Sequence, residues 1–293
     1  MRWEGNRESD NVEDRRGSDD GGGGLSFGGR GLGLGSIVIA LVVSAVFGVN
    51  PLQVLSLLSG GAPTSPVPQQ SAPQHRAPAN DPQTRFVKTT LGLTEDVWQD
   101  IFRQSGGQYR DPTLVIFRGV TRTACGQGQT AMGPFYCPAD QRVYIDLDFY
   151  DTLKNRLGAP GDFAQAYVIA HEVGHHVQNL LGTSEKVDQA RRRMSDKQYN
   201  ALSVRLELQA DCYAGVWAMH ANQTKQILEA GDVEEALNAA SQIGDDTLQK
   251  NAQGYAVPDS FTHGTSRQRV TWFKRGFESG DLRQCDTFRA AEL

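Results

Sequence analysis

Apolar positions between residues 162 and 181 recur every three or four residues, which is the spacing of one helix face. They are Phe163, Ala166, Tyr167, Ala170, Val173, Val177, Leu180 and Leu181. Asp162 and Gln165 have the spacing of a capping box, and Gly182 stands where helices commonly end. A glycine inside a helix lowers its stability, so Gly174 indicates the close approach of another backbone. We predict a helix over 162–181.

A second helical pattern covers residues 195–221. Ser195 and Gln198 have the spacing of a capping box at its start. The apolar positions that follow are Leu202, Leu206, Ala210, Ala214 and Trp217. Small and apolar residues on both sides of this stretch indicate a largely buried helix.

The remaining pattern predicts a mostly helical α+β domain with a small sheet. Strands are expected at 113–117 and 142–147, on either side of a Gly-rich hairpin or loop at 119–137. Further helices are expected at 94–102, with Thr94 as the cap, and at 148–157, 223–229, 232–249 and 265–279. We expect the strand at 142–147 to border a cleft, where its edge could pair with an extended peptide. An ordinary edge strand is an equally good interpretation.

The first 83 residues differ in composition from the rest of the chain. Residues 1–31 are rich in Gly, Asp and Arg, which predicts a disordered tail. An uncharged apolar stretch of 18 residues, Leu32 to Val49, then predicts a transmembrane helix, with a juxtamembrane segment to residue 58. Residues 59–83 are rich in Pro and Ser and are expected to be a linker. The domain of interest therefore spans 84–293.

The arginines predict the orientation of this anchor. Arg15, Arg16 and Arg30 precede the apolar stretch closely, and the positive-inside rule therefore places the N-terminus in the cytoplasm. We therefore expect a single-pass membrane protein with residues 84–293 outside the cytoplasm. A cleaved signal peptide and a buried core helix are the alternatives.

The net charge and the four cysteines bear on the binding partners of the protein and on its redox environment. A net charge of −5 over 293 residues, without a basic-aromatic cluster, argues against nucleic-acid binding. The four cysteines show no C-x-x-C spacing, and an even number facing an oxidising compartment favours disulfides. We expect Cys125–Cys137 to close the Gly-rich loop and Cys212–Cys285 to tie the chain's tail to the helix at 195–221. Four free buried thiols are the alternative.

Metal chemistry is indicated by H-E-x-x-H within the helix at 162–181. His171 and His175 are four residues apart, so both imidazoles share one helix face and suit Zn²⁺. Glu172 lies at the edge of that face and can act as a general base on a water whose pKa a metal lowers to ~7. A chance match in an ordinary amphipathic helix is the alternative.

A catalytic zinc needs a third protein ligand. The extended metzincin motif requires glycine at position 178 and histidine at 181, where this chain has Gln178 and Leu181. Glu207 on the second helix is the expected ligand. Asp211, one turn later, is expected to accept a hydrogen bond from the far N–H of a ligand histidine. A solvated acidic face is disfavoured because the neighbouring residues are small or apolar.

The two helix motifs, H-E-V-G-H-H and E-L-Q-A-D-C, resemble those of the putative neutral zinc metallopeptidase family of bacterial membrane-anchored proteins. Segments 133–141 and 260–266 also resemble that family, and the likeness covers roughly residues 84–288. It implies a zincin-like metallopeptidase fold with a glutamate ligand. A more distant likeness to heat-shock and prenyl-protein-processing zinc endopeptidases implies that His263 donates to the developing oxyanion. Tyr136, Tyr144 and Tyr213 are other possible donors, whereas His176 is expected to be structural.

These observations together favour a zinc metallopeptidase that hydrolyses peptide bonds in peptide or protein substrates. Zn²⁺ is the expected cofactor, held by His171, His175 and Glu207, with Glu172 as the base. Two alternatives are a zincin-scaffold binding or envelope-assembly protein with little hydrolysis, and a zinc amidase that acts on cell-wall peptides.

Overall fold

The computed structural model describes residues 1–16, 81–129 and 133–293. Within these ranges the chain forms a mostly helical α+β domain with two small sheets, as the apolar pattern predicts. The helices are α1 (Pro82–Gln104), α2 (Leu147–Asn155), α3 (Asp162–Leu180), α4 (Thr183–Arg191), α5 (Asp196–Lys225), α6 (Asp232–Gln242), α7 (Asp245–Gln253) and α8 (Ser266–Ser279). The strands are β1 (Val12–Asp14), β2 (Thr113–Phe117), β3 (Val120–Thr123), β4 (Gly126–Gln129), β5 (Phe135–Cys137) and β6 (Arg142–Asp146).

The larger sheet has the strand order β1-β2-β6-β5. β2 is parallel to both β1 and β6, and β5 runs antiparallel to β6. Side chains alternate across it as the strand period requires: Leu114 and Val143 face the main core, while Val115 and Tyr144 face a smaller apolar cluster. β3 and β4 form a separate antiparallel hairpin.

The main core lies among α1, α3, α5, α6 and α8 and one face of the sheet. The predicted close approach at Gly174 is confirmed, because a Cβ there would lie 3.1 Å from the carbonyl oxygen of Ala210 on α5. α5 and α8 pack through Gly215 and Gly276, each of which leaves no room for a Cβ against the other helix's backbone. Helices that approach this closely hold the side chains between them rigidly.

Both predicted disulfides are present. Cys125–Cys137 joins the β3–β4 turn to β5, and Cys212–Cys285 joins α5 to the C-terminal segment. The Cys212 and Cys285 side chains are completely buried, so this second bridge belongs to the core.

Several helix ends differ from the predicted ones. α1 begins at Pro82 and is capped by Asp81. Thr94 is not the cap, because it is buried within the helix and its hydroxyl donates to the Leu91 carbonyl. The capping box at Ser195 is confirmed. The predicted helix at 232–249 is two helices, α6 and α7, which are separated at Gly244 where the backbone of Ser266 comes close.

Residues 1–16 pack against the domain, so disorder was the wrong prediction for this part of the first 31 residues. The Met1 ammonium contacts Asp162 at 2.6 Å, at the start of α3. Farther along, Ser9 and Asn11 donate to the buried carboxylate of Glu95 at 2.6 and 2.8 Å. Asp162 is therefore the first helical residue of α3 and an ion-pair partner of Met1, rather than the predicted cap.

The predicted single-pass membrane topology was also wrong. Within residues 1–16, 81–129 and 133–293, no helix is both long and apolar enough to cross a membrane. β1 pairs with β2, and Arg16 contacts Asp81 at 2.5 Å, so the chain segments before and after residues 17–80 belong to one sheet and meet at one place. A single crossing between them would put these paired residues on opposite sides of the membrane. The predicted span itself, 32–58, lies outside the described residues.

The packing of the N-terminal segment can be tested at Ser9. Ser9→Ala removes a donor from a buried carboxylate, which we expect to lower the free energy of unfolding by ~1–3 kcal/mol. Thermal denaturation measures this as a fall in Tm of ~2–4 °C per kcal/mol. Ser279→Ala is the control and should change little, because its exposed hydroxyl donates to the Arg275 carbonyl and accepts from the Asp281 N–H at the protein surface. Equal melting of both variants would contradict the packing of residues 1–16 on Glu95.

Candidate metal centre

His171, His175 and Glu207 meet between α3 and α5. Their ligand atoms all lie within 4.8 Å of one another. Nε2 of His171 is 3.2 Å from one carboxylate oxygen of Glu207, and Nε2 of His175 is 3.5 Å from the other. The structure thus brings together the three residues that helix spacing singled out, and it points the same nitrogen of each imidazole at the carboxylate.

His171 is held from behind by a buried charged network. Its Nδ1 lies 2.8 Å from Oδ1 of Asp211, which also accepts from the Tyr167 hydroxyl at 2.6 Å. The guanidinium of Arg269 donates to both oxygens of Asp211 at 2.9 Å. Asp211 and Arg269 are almost inaccessible to solvent. This network fixes the imidazole with Nδ1 protonated and leaves Nε2 free to bind.

His175 has a neutral partner instead. Its Nδ1 lies 2.8 Å from Oε1 of Gln178, one turn later on the same helix. The amide nitrogen of Gln178 donates to the Leu206 carbonyl at 2.6 Å and to Oε1 of Gln209 at 3.2 Å. Both histidines therefore use Nδ1 for a protein hydrogen bond and present Nε2 to Glu207.

Glu172 is buried beside this cluster, with 7% of its surface exposed. Among the described residues its carboxylate makes no hydrogen bond. Burial raises its pKa, and the two neighbouring histidines only partly oppose that effect. A carboxylate without protein partners and with a raised pKa is suited to accept and return a proton.

The charges of the cluster are strongly coupled. Burial opposes protonation of His171, but Asp211 and Glu207 outweigh it and raise the pKa of His171 to about 10. Burial likewise opposes ionisation of Glu207, yet His175, His263 and His171 hold its pKa well below the usual range. The carboxylate thus attracts positive charge to this point, either as a proton on an imidazole or as a metal cation.

The donor set fits zinc. Two imidazole nitrogens and a carboxylate oxygen are the ligands of one class of catalytic zinc site. With both Nδ1 atoms donating elsewhere, the Nε2 lone pairs face the lone pairs of Glu207 at 3.2 and 3.5 Å. That arrangement is stable only with a cation or a proton between the atoms.

His263 lies on the loop before α8, and its side chain is about half exposed, at 48%. Its Nδ1 is 3.2 Å from Oδ1 of Asp245, while the other oxygen of Asp245 accepts from the backbone N–H groups of Thr262, His263 and Gly264. The partial burial of the ring opposes its protonation, but Asp245 and Glu207 outweigh this and raise the pKa of His263 to about 9. The two carboxylates therefore favour the protonated imidazole.

Two of the candidate tyrosines are occupied elsewhere. The Tyr136 hydroxyl lies 3.0 Å from Nδ1 of His176 and accepts from Asn179, whereas Tyr144 donates to Asp140. Tyr213 packs edge-on against Trp98. His176 is completely buried, its Nε2 is 2.6 Å from the Arg110 carbonyl, and burial lowers its pKa to about 4. These contacts agree with the structural role predicted for His176.

The predicted cleft strand at 142–147 is not an edge strand. β6 is paired on both sides, with β2 and β5, so its backbone has no free edge. Within the described residues, the end of the sheet nearest α3 is β5, Phe135–Cys137. The strand period showed that 142–147 would be extended but could not show which strands would flank it.

Three residues of this site were missed in the sequence. Arg269 lies on the face of α8 that also carries Trp272 and Phe273, and a charged residue at an apolar position is the signal that could have found it. Gln178 is likewise a polar residue on the buried side of α3, three residues after His175. Asp245 had no signal beyond its place at the start of a helix.

Comparison with known proteins agrees with this geometry. The model of the family described as "Putative neutral zinc metallopeptidase" matches residues 1–288. The chain belongs to this family. It is 55% identical over 292 residues to the protein YpfJ of Escherichia coli K12, covering 98% of this chain and 99% of that protein. It is 40% identical over 219 residues to the protein Rv2575 of Mycobacterium tuberculosis H37Rv, covering 71% and 73% respectively. Both relatives are described as uncharacterized. No solved structure matches the chain.

Proposed function

We propose that the protein is a zinc-dependent peptidase in which His171, His175 and Glu207 bind the metal and Glu172 is the general base. The observation that carries the proposal is the convergence of both Nε2 atoms on the Glu207 carboxylate, with Glu172 buried next to them. Membership of a zinc metallopeptidase family supports the same conclusion. Bound zinc supplies a Lewis acid that activates water and polarises the scissile carbonyl.

The chain's own residues move the protons. Glu172 takes the proton from the attacking water as the new C–O bond forms, and it returns that proton to the leaving amine as the peptide C–N bond breaks. The raised pKa of Glu172 favours this double role, because the carboxyl group must hold the proton between the two steps.

His263 is proposed to stabilise the oxygen of the scissile carbonyl as it gains negative charge. Asp245 contacts Nδ1 of this imidazole, which leaves Nε2 as the donor toward substrate. Glu207 also raises the pKa of His263, and this electrostatic effect supports a position of the imidazole near the proposed metal ligands. β5 is proposed to pair with an extended peptide, since it is bonded on one side only to a described strand.

The metal set is tested by zinc content. We expect one zinc per chain in the full-length protein and at least ~100-fold weaker binding in Glu207→Ala, because losing a ligand costs more than losing a hydrogen-bond partner of a ligand. Elemental analysis after dialysis measures the content, and competition with a chelator measures the affinity. Glu185→Ala, an exposed carboxylate on α4, is the control. Full zinc in Glu207→Ala would remove Glu207 from the ligand set.

The role of His263 predicts a pH dependence. The pKa of His263 is raised, so its positive charge is present at neutral pH and is lost as the pH rises toward about 9. We expect kcat/KM to fall on that basic side. In Asp245→Asn the fall should begin at lower pH, because the anion that favours protonation is gone. Asp246→Asn is the control, since Asp246 bonds to Ser266 and not to His263. Superimposable pH profiles in all three proteins would exclude His263 as the donor.

A further inference from the structure

Gln178 and Gln209 form a continuous hydrogen-bonded chain behind His175. Nδ1 of His175 lies 2.8 Å from Oε1 of Gln178, and Nε2 of Gln178 donates to Oε1 of Gln209 at 3.2 Å. Nε2 of Gln209 in turn donates to the Cys285 carbonyl at 2.9 Å. Both glutamines are buried, with 0% and 6% of their surfaces exposed. A buried amide commits all its hydrogen bonds to protein, so each has one stable orientation.

Backbone carbonyls decide the orientation of both amides. The carbonyl of Leu206, 2.6 Å from Gln178, can only accept, so the nitrogen end of that amide must face it. The oxygen end then faces His175, and Nδ1 of His175 must be the donor. The Cys285 carbonyl imposes the same polarity on Gln209. The tautomer of His175 is thus determined by two backbone carbonyl groups through two side-chain amides.

We propose that Gln178 and Gln209 are positioning residues for His175, and that they connect this metal ligand to the C-terminal segment held by the Cys212–Cys285 disulfide. The inference rests on the proposed zinc site. The amide chain fixes Nε2 of His175 as the metal-binding atom without adding a negative charge beside Glu207. His171 is held differently, by a carboxylate whose charge Arg269 balances.

The Cys212–Cys285 disulfide fixes the far end of this series of hydrogen bonds. Cys285 is bonded to Cys212, which directly follows Asp211 on α5. The disulfide therefore keeps the Cys285 carbonyl next to Gln209, which is also on α5. The partners behind the two ligand histidines are therefore anchored within one turn of α5, at Gln209 and Asp211.

Zinc affinity and the ring N–H signals of the zinc-loaded protein test this inference. In Gln178→Leu we expect zinc affinity to fall ~10–100-fold, as for other partners of ligand histidines. The exchange-protected Nδ1–H resonance of His175 should disappear, while that of His171 remains. Gln249→Leu removes another buried glutamine, bonded to Ser260 and Val257, and should change neither measurement.

A second variant covers the case in which Gln178→Leu does not fold. Gln209 bonds to Gln178 and not to a histidine. In Gln209→Leu we therefore expect zinc affinity to fall less than ~10-fold, and the His175 Nδ1–H to exchange faster. Unchanged zinc affinity and an unchanged His175 signal in the folded variants would overturn the inference. Absence of zinc from the wild type would instead refute the proposed function, so the two failures are distinct.

Discussion

Glu172→Gln is expected to bind zinc as tightly as the wild type and to cleave peptide bonds ~10²–10⁴-fold more slowly, which is the usual contribution of a general base. The amide has nearly the shape of the carboxylate but cannot accept the proton from water. Because the Glu172 carboxylate makes no hydrogen bond to another described residue, the substitution leaves no protein donor unpaired. A fluorogenic peptide library, assayed at matched zinc content and with a chelator control, measures the rate.

The outcome separates an enzyme from a binding scaffold. Equal cleavage by wild type and Glu172→Gln would show that Glu172 is not the base. If neither protein cleaves any peptide while both retain zinc, the peptidase proposal fails and a non-hydrolytic role of the metal site is favoured. Cleavage confined to cell-wall peptides would identify a zinc amidase, with the same residues in the same roles.

Arg269→Leu is expected to lower the free energy of unfolding by ~3–5 kcal/mol, the usual cost of leaving one partner of a buried ion pair alone. Asp211 is completely buried and receives two bonds from Arg269 at 2.9 Å. Calorimetry of the chelator-treated protein should show a fall in Tm of ~6–20 °C for that loss in a domain of this size. Arg267→Leu, an exposed arginine on the same helix, is the control.

A double variant separates the charge from the shape of this network. In Asp211→Asn/Arg269→Leu the buried anion is also gone, so we expect a smaller loss of stability than in Arg269→Leu alone. A larger loss in the double variant would contradict the interpretation that the unpaired Asp211 carboxylate causes the effect. Zinc affinity should fall in both variants, because the hydrogen bond behind His171 changes in each.

Local sequence predicted the helices that carry the three candidate metal ligands. The spacing of His171 and His175 fixes their common face, and Glu207 and Asp211 follow the same four-residue rule on α5. The capping box at Ser195 is equally local and was found with its side-chain bonds in place. Such features depend on residues within one or two turns, so the sequence order alone contains them.

Local sequence did not predict how the first part of the chain packs. An uncharged apolar stretch predicted a membrane crossing, yet β1 pairs with β2 across more than 90 positions of sequence. The ion pairs that attach residues 1–16 to the domain also join distant positions, as between Arg7 and Glu95. Neighbouring residues in the sequence do not identify such distant partners.

The order of residues was enough to predict the helical periods, both candidate metal-ligand motifs, the two disulfide pairings and the family resemblance. The folded protein was needed to show which groups bond to Nδ1 of the two histidines and which strand ends the described sheet. Arg269 reaches Asp211 from 58 positions away, and β6 is covered by β5 on the side where a free edge was expected. Helix period and strand alternation are set by neighbouring residues, whereas the partner of a buried charge or strand edge is set by how distant elements pack.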